Sequence, residues 1–349
     1  MISESWWLKD TFRPKAFMVR KVSNQPMILG LDIGGANTKA ASSDGRLAES
    51  VYLPLWKHAP LDEVLRRFAA RRPRAVSVVI TGELADCFST KREGISSLTA
   101  AVKRAFSCPV YFWGTGGFSW TDPLELAAAN WAASAAFLAR EVGDCLFVDM
   151  GSTTTDLIPI RGGSLAAKTD FLRLAAGDLV YMGLLRTRLD AMLPAARIKG
   201  QNVPLAPEFF AIMADARLAL GRISEERYVC ETSDGAGKDH DAALRRLARS
   251  VCADLEEIGE AGALAIAEQA CERQKSILVA AMERQVEKHG LTTVAAAGIG
   301  EEMIAQAATF LGLEFLRLSQ RYGARISDVF PAYAVARLAE TQLSEISKT

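Results

Sequence analysis

Two stretches with the same layout, GLDIGGANTKAA (30–41) and VDMGSTTTDLIPI (148–160), decide the fold. Each begins as an apolar strand with an aspartate near its end, Asp32 or Asp149, and continues through glycine into small hydroxyl or amide residues. Such turns expose backbone N–H groups because glycine has no Cβ to shield them, and the Asn, Ser and Thr side chains add further donors. A single Asp-x-Gly hairpin is common in sheets, but two of them in two halves of one chain predict a pair of anion cradles.

Around the first stretch, the pattern predicts a three-stranded antiparallel meander followed by alternating helices and strands. The predicted elements are strands at 28–35, 37–43 and 50–55, a helix at 61–70, a strand at 75–82, a helix at 96–106, a strand at 109–113 and a long helix from 122 to about 140. Asp122 followed by Pro123 is typical of a helix start. The first half is therefore read as βββαβαβα.

The second half restarts in the same way around the second stretch. Strands are predicted at 145–152, 154–160 and 164–169, a mostly helical region at 175–289 with loops at 194–207 and 232–241, a strand at 292–298, a helix at 301–311, a strand at 314–318 and a closing helix at 332–344. We expect an α/β protein of two duplicated βββαβα domains with a cleft between them. The expected parts are an actin-like domain at 27–143, a second at 144–349 with a helical insertion and a last helix that is a candidate to pack back on the first domain, and a loosely ordered extension at 1–26.

Composition agrees with a two-domain globular protein. The chain has 349 residues, of which 50% are apolar and 23% charged. Lys plus Arg equals Asp plus Glu at 41 each, so no general basic field recruits nucleic acid or an anionic membrane. No run reaches the roughly 20 apolar residues that span a bilayer. Six cysteines without metal-binding spacing predict reduced thiols and a cytoplasmic location, with small molecules as partners and a homo-oligomer left open.

The paired turns predict a phosphate-binding site with a metal ion. Asp32 and Asp149 would repel a bare phosphate, so their place beside the donors predicts Mg²⁺, held mostly through water and shared with the ligand. Lys39 supplies a compensating charge if it faces the ligand. The candidate phosphate-binding residues of the two turns are Gly34, Gly35, Asn37, Thr38, Lys39, Gly151, Ser152, Thr153 and Thr154.

A third glycine-bearing turn follows a strand in AAAGIGEEMI (295–304). Gly298 and Gly300 are candidates for close backbone approach to a ligand phosphate at a helix N-terminus. A purely structural strand-to-helix turn is the alternative. Glu301 and Glu302 favour it, because carboxylates in a first helical turn suit the helix dipole and disfavour phosphate.

Two domains of this kind resemble the superfamily of acetate and sugar kinases, Hsp70 and actin, which implies Mg²⁺–phosphate chemistry in a closing cleft. Further strings are similar to one branch of it, related to hydantoinase A and oxoprolinase, whose members accompany tetrahydromethanopterin-linked one-carbon metabolism. Besides the two hairpins, these strings are ITGELADCF (80–88), AAANWAASA (127–135), GDLVYMGLLRT (177–187), AAAGIG (295–300) and PAYAVARL (331–338). The resemblance covers residues 27–340, and Met182 and Arg188 depart from the branch's pattern.

Archaeal members of this branch resemble the synthase of methanofuran biosynthesis. The resemblance implies a transferase that joins an aminomethylfuran-methyl diphosphate to the phenol of γ-glutamyltyramine, forms an aryl ether and releases diphosphate, in methanofuran or methylofuran biosynthesis. A phenol has a pKa of about 10, so such a reaction benefits from a base. Glu83, at the carboxyl end of a buried strand, is the candidate base. The alternative is that the Glu83 carboxylate caps the turn that follows.

Several readings stay open at this stage. Arg173, Arg186 and Arg188 are candidates to bind a carboxylate of the glutamyl group, or are solvated helix charges. An ATP-dependent phosphotransferase or hydantoinase A-like ATPase is the main alternative function, because fold alone does not decide function. A nucleotide-gated regulator or chaperone-like binding module is a third.

Overall fold

The computed structural model describes residues 27–57, 59–163 and 168–346. Within these residues the strands are β1 (Ile28–Gly34), β2 (Asn37–Ser42), β3 (Ala48–Tyr52), β4 (Ala75–Thr81), β5 (Val110–Phe112), β6 (Cys145–Met150), β7 (Thr155–Ile160), β8 (Leu179–Val180), β9 (Ala195–Ile198), β10 (Gln201–Pro204), β11 (Thr293–Ala297) and β12 (Glu314–Arg317). The α-helices are α1 (Leu61–Ala69), α2 (Lys91–Ala105), α3 (Asn130–Glu141), α4 (Asp170–Ala176), α5 (Leu189–Met192), α6 (Met213–Ala219), α7 (His240–Arg249), α8 (Leu255–His289), α9 (Glu301–Phe310), α10 (Leu318–Tyr322), α11 (Ala324–Ser327) and α12 (Phe330–Ile346).

Two five-stranded mixed sheets have the same internal order. The first runs β3-β2-β1-β4-β5, and the second, taken in the same direction, runs β8-β7-β6-β11-β12. In each, the central strand pairs antiparallel with the next strand in sequence and parallel with a later one. The central strands β1 and β6 are buried on both faces, which explains why they read as continuous apolar runs. The predicted α/β class with two duplicated halves is confirmed, and we call the parts built on the two sheets the first and second lobe.

Three local predictions were wrong. Of the strand predicted at 164–169, residues 164–167 lie outside the described residues and 168–169 are not in a strand; β8, after α4, takes the third place. Asp122 caps a short 3₁₀ helix, Pro123–Leu126, with a capping box, and α3 begins separately at Asn130. Asp122 does begin a helix, as predicted. That helix does not continue into α3, because Ala128 between the two has a φ of 48°, which is outside the helical range. The loop predicted at 194–207 contains the hairpin β9–β10.

The last helix, α12, packs on the first sheet although it closes the chain. It lies against β1 and α3, and its apolar residues, including Phe330 and Val335, are buried. The approach is closest at Gly30 in β1, where a Cβ atom would lie 1.8 Å from the carbonyl oxygen of Ala332. Backbone thus touches backbone here, and only glycine fits.

We expect Gly30→Ala to destabilise the protein by about 3 kcal/mol or more, because neither backbone segment can move away from the new methyl group. Gly116→Ala is the matched control, since nothing lies within 4 Å of a Cβ added at Gly116. Urea unfolding followed by circular dichroism measures both. Equal midpoints for the two variants would show that α12 does not hold this position in solution.

The helical insertion of the second lobe is formed by α6, α7 and α8, which pack on one another. Its centre holds a fully buried ion pair between Arg246 and Asp215 at 2.8 Å, and the Tyr228 hydroxyl donates to the same carboxylate at 2.8 Å. Across the described residues, no helix combines the length and apolarity needed to cross a bilayer.

Candidate functional site

The two glycine hairpins meet at one cavity between the lobes. The β1–β2 turn contributes Gly34, Gly35 and Asn37, and the β6–β7 turn contributes residues 151–154, to the lining of a cavity of about 780 Å³. The side-chain amide of Asn37 donates to the Ser152 hydroxyl across the cleft at 3.3 Å. The donors of both lobes therefore face the same space, as the paired motifs predicted.

Asp32 lies at the wall of this cavity near the end of β1. It is 4% exposed, and its Oδ1 accepts a hydrogen bond from the Thr81 hydroxyl at 3.1 Å. Burial raises the pKa of Asp32, and the nearby Lys39 ammonium, opposite Asp32 in the β1–β2 pairing, partly offsets this rise. The Asp32 carboxylate is held in place by Thr81, and its other oxygen is free among the described residues. That oxygen is suited to bind a cation, or a water molecule that a cation holds.

Asp149 lies behind the lining, near the end of β6. It is 6% exposed, and among the described residues its Oδ1 has no hydrogen-bond partner. Burial raises the pKa of Asp149 to about 7; Lys39 counteracts the rise, and the neighbouring Asp156 and Asp32 charges add to it. A buried carboxylate oxygen without a partner is costly unless a ligand or ion satisfies it.

Asp156, in contrast, has its own counter-ion. Its carboxylate pairs with Arg173 at 2.5 Å, and Arg173 also pairs with Asp170 at 2.9 Å. The Arg173 side chain is 2% exposed and lies 4.7 Å from the ring of Trp131. Arg173 already pairs with two carboxylates of the protein, so it is a poor candidate for binding a substrate carboxylate.

Glu83 follows β4 and lines the cavity from the first lobe. It is 3% exposed, and its Oε2 has no hydrogen-bond partner among the described residues. Burial raises the pKa of Glu83 to about 7, while hydrogen bonding to the backbone and the Lys91 charge lower it only in part. The backbone of Glu83 packs directly against Gly94 of α2, where a Cβ atom would lie 2.3 Å from the Glu83 carbonyl oxygen. A carboxyl group that titrates near neutral pH in a cleft is suited to proton transfer.

The structure divides the predicted site residues into two groups. Those that line the cavity are Asp32, Gly34, Gly35, Asn37, Lys39, Glu83, Gly151, Ser152, Thr153 and Thr154. Those that do not are Thr38, Asp149, Gly298 and Gly300. The Thr38 side chain is buried in the sheet, because it alternates inward from Asn37 and Lys39 along β2.

Gly298 and Gly300 line a second cavity, of about 640 Å³. Gly298 has a φ of 84°, and a Cβ there would lie 2.3 Å from Oδ1 of Asp149; at Gly300 it would lie 2.4 Å from the sulfur of Met150. Both glycines are therefore required by close packing against β6. Glu301 accepts hydrogen bonds from Ser319 and Ser327, as the structural reading of this turn expects, and phosphate binding here stays a prediction.

Several lining residues were not predicted from the sequence. They include the aromatic side chains of Tyr52, Trp56, Tyr181 and Phe209. Trp56 and Phe209 lie outside the regular strands and α-helices, in segments without a recognisable motif, so no spacing assigned them to a site. Tyr181 is 70% exposed and Phe209 is 49% exposed. The exposure of a large aromatic side chain depends on the folded structure, and sequence patterns do not predict it.

A family model described as hydantoinase/oxoprolinase matches residues 74–342. The chain belongs to the hydantoinase/oxoprolinase family. Within this family, it is 38% identical over 330 residues to the (4-{4-[2-(γ-L-glutamylamino)ethyl]phenoxymethyl}furan-2-yl)methanamine synthase of Methanocaldococcus jannaschii, with 91% of this chain and 99% of that protein aligned. The predicted resemblance to the methanofuran-biosynthesis synthases is confirmed, and so is the prediction of an enzyme.

A second relative of this hydantoinase/oxoprolinase-family chain bears the same synthase name. It comes from Methanococcus vannielii and is 33% identical over 216 residues, covering 60% of this chain and 97% of that protein. Among solved structures, a ROK-family glucokinase from Streptomyces griseus in complex with glucose and AMPPNP aligns over 90% of this chain and 99% of its own, with a TM-score of 0.47 and 14% identity. The order of the two sheets, rather than this likeness, establishes the fold class.

Proposed function

We propose that the protein is the transferase that forms an aryl ether between an aminomethylfuran-methyl diphosphate and the phenol of γ-glutamyltyramine, with release of diphosphate, in methanofuran or methylofuran biosynthesis. The name of the relatives specifies a phenoxymethyl-furan product, which contains the same ether bond. The observation that carries the proposal is the single cavity on which both glycine hairpins converge, because a leaving diphosphate needs donors from several directions.

Ionisation of the furan-methyl diphosphate breaks the bond between its methylene carbon and the bridging oxygen. The positive charge that forms is delocalised into the furan ring, and negative charge grows on the diphosphate. The N–H groups of residues 34–35 and 152–154, and the hydroxyls of residues 152–154, would receive that charge, whereas the N–H of Gly151 donates to the Thr154 carbonyl oxygen within the hairpin. Donors held in advance by the fold lower the barrier, typically by about 3 kcal/mol for one such group.

Magnesium fits this site. Asp32 at the cavity wall and Asp149 behind it each keep an oxygen that the fold does not fully use, although the described residues hold no cluster of three or more metal-type side chains. Mg²⁺ is commonly held by one or two carboxylates, with water and substrate phosphate completing its shell. When bound, the ion would neutralise charge on the diphosphate. The positive charge of Lys39 acts on both carboxyl groups and lowers the pKa of each.

Glu83 would accept the phenol proton as the phenol oxygen forms its bond to the methylene carbon. The products are the ether, diphosphate and a protonated Glu83, so atoms and charge balance. The raised pKa of Glu83, about 7, makes it a better base for a phenol than an ordinary carboxylate. Aromatic lining residues such as Trp56 and Tyr181 offer apolar contact to the furan and phenol rings.

An ATP-dependent phosphotransferase or hydantoinase A-like ATPase is the second candidate function. The cavity of about 640 Å³ lined by Gly298 and Gly300 favours it, because it provides a second space next to the end of β6, where the second hairpin begins. Glu301 and Glu302 line that space as well and disfavour a phosphate there.

One assay separates the two functions. The protein with Mg²⁺ is incubated with γ-glutamyltyramine and the furan-methyl diphosphate without nucleotide, and in parallel with ATP. We expect ether and diphosphate in equal amounts in the first reaction and no catalytic ADP formation in the second. Catalytic release of ADP without ether product would reject the transferase and support the alternative.

A further inference from the structure

Arg186 has an unusual environment among the cavity's basic side chains. Its guanidinium lies 4.9 Å from the ring of Trp56 in the opposite lobe. Its Nη1 donates to the Thr153 hydroxyl at 3.1 Å, within the second glycine hairpin. The side chain therefore connects the two lobes at the edge of the anion cradle, and both contacts leave donors of the guanidinium unused.

The other two arginines predicted as carboxylate ligands are already paired. Arg188 forms an ion pair with Asp190 at 2.6 Å, and Arg173 is buried between Asp156 and Asp170. Arg186 forms no ion pair with any described residue, and Glu231, an acidic residue of the cavity lining, pairs with Lys57 at 2.5 Å. Arg186 is thus a cation without a protein counter-ion in a cavity lined by phosphate-type donors.

We propose that Arg186 binds the diphosphate of the substrate and leaving group, and that Trp56 holds its guanidinium in the binding position. This inference rests on the proposed function. A guanidinium matches phosphate oxygens with two parallel hydrogen bonds, and stacking on an indole fixes its plane. The contact with Thr153 places Arg186 beside the hairpin donors. A carboxylate of the glutamyl group is the competing anion.

Binding of inorganic diphosphate, measured by calorimetry on the full chain with Mg²⁺, tests the inference without requiring turnover. Arg186→Gln should weaken diphosphate binding by about 10- to 100-fold, because it removes charge-assisted hydrogen bonds. Arg186→Lys should recover only part of the affinity, since an ammonium is a point charge without the planar fork. Trp56→Leu should weaken binding by about two- to tenfold.

Arg188→Gln is the matched control, because it removes a neighbouring cavity charge that Asp190 already neutralises. Its diphosphate affinity should stay within about twofold of wild type. Urea unfolding midpoints of all variants identify any that fail to fold.

A variant Arg186→Gln that makes ether and binds diphosphate like wild type would overturn this inference alone. A raised KM for γ-glutamyltyramine with unchanged diphosphate affinity would also overturn it, and would assign Arg186 to the glutamyl carboxylate. Wild-type protein that neither binds diphosphate nor makes ether would overturn both the inference and the proposed function.

Discussion

Asp32→Asn is expected to reduce ether formation at least about 100-fold while leaving the protein at least as stable as wild type. The activity falls because the neutral amide cannot hold a cation beside the diphosphate. The fold gains because burial raises the pKa of Asp32, so the ionised side chain destabilises the native state at neutral pH. Initial rates with saturating substrates and urea unfolding at pH 8 measure the two effects.

Asp149→Asn should lower activity by a similar factor, since Asp149 supplies the second carboxylate of the predicted Mg²⁺ site. The control is Asp44→Asn on the β2–β3 turn, which removes a carboxylate remote from the cavity. Full activity of Asp32→Asn or of Asp149→Asn would remove the corresponding aspartate from the metal site. Loss of stability together with activity would show a structural role instead.

Glu83→Gln is expected to lower kcat by about 100-fold or more, because the amide cannot accept the phenol proton. In the wild-type enzyme, we expect kcat/KM to rise with pH up to about 7 and then level off, since burial raises the pKa of Glu83 to about 7 and the base must be ionised. Glu83→Gln should lose this dependence on pH.

The stability of Glu83→Gln tests the direction in which burial shifts the pKa of Glu83. The folded pKa, about 7, lies above the ordinary value of 4.5, so the native state loses stability as pH rises from about 4.5 to 7. Glu83→Gln removes this loss and should be more stable than wild type at pH 8 but not at pH 4. A wild-type pH–rate profile in Glu83→Gln would contradict the role of Glu83 as the base.

The sequence predicted the parts of the fold that local chemistry controls. The β1–β2 and β6–β7 hairpins, with glycine turns between apolar strands, were located to within two residues. The helix starting at Asp122 was not, because a capping box specifies where a helix begins but not how far it continues. The third strand of the second lobe has two residues, too few for any periodic pattern.

The site residues that could be predicted from the sequence are those whose residue type and surrounding motif both indicate a function. Asp32, Asn37 and Ser152 belong to recognisable turns, and the structure brings them to one cavity. The position of Asp149 behind the lining was not predictable, since it depends on the approach of Gly298, which directly follows β11 and lies 149 residues later in the chain. Trp56 was missed for the same reason, because its contact with Arg186 joins residues of opposite lobes.

The most direct test of the central claim is a crystal structure of the protein with inorganic diphosphate and Mg²⁺. The account predicts diphosphate between the turns at 34–37 and 151–154, bound by their N–H groups and hydroxyls. Diphosphate bound instead beside Gly298 and Gly300, with no ligand between the two hairpins, would contradict it.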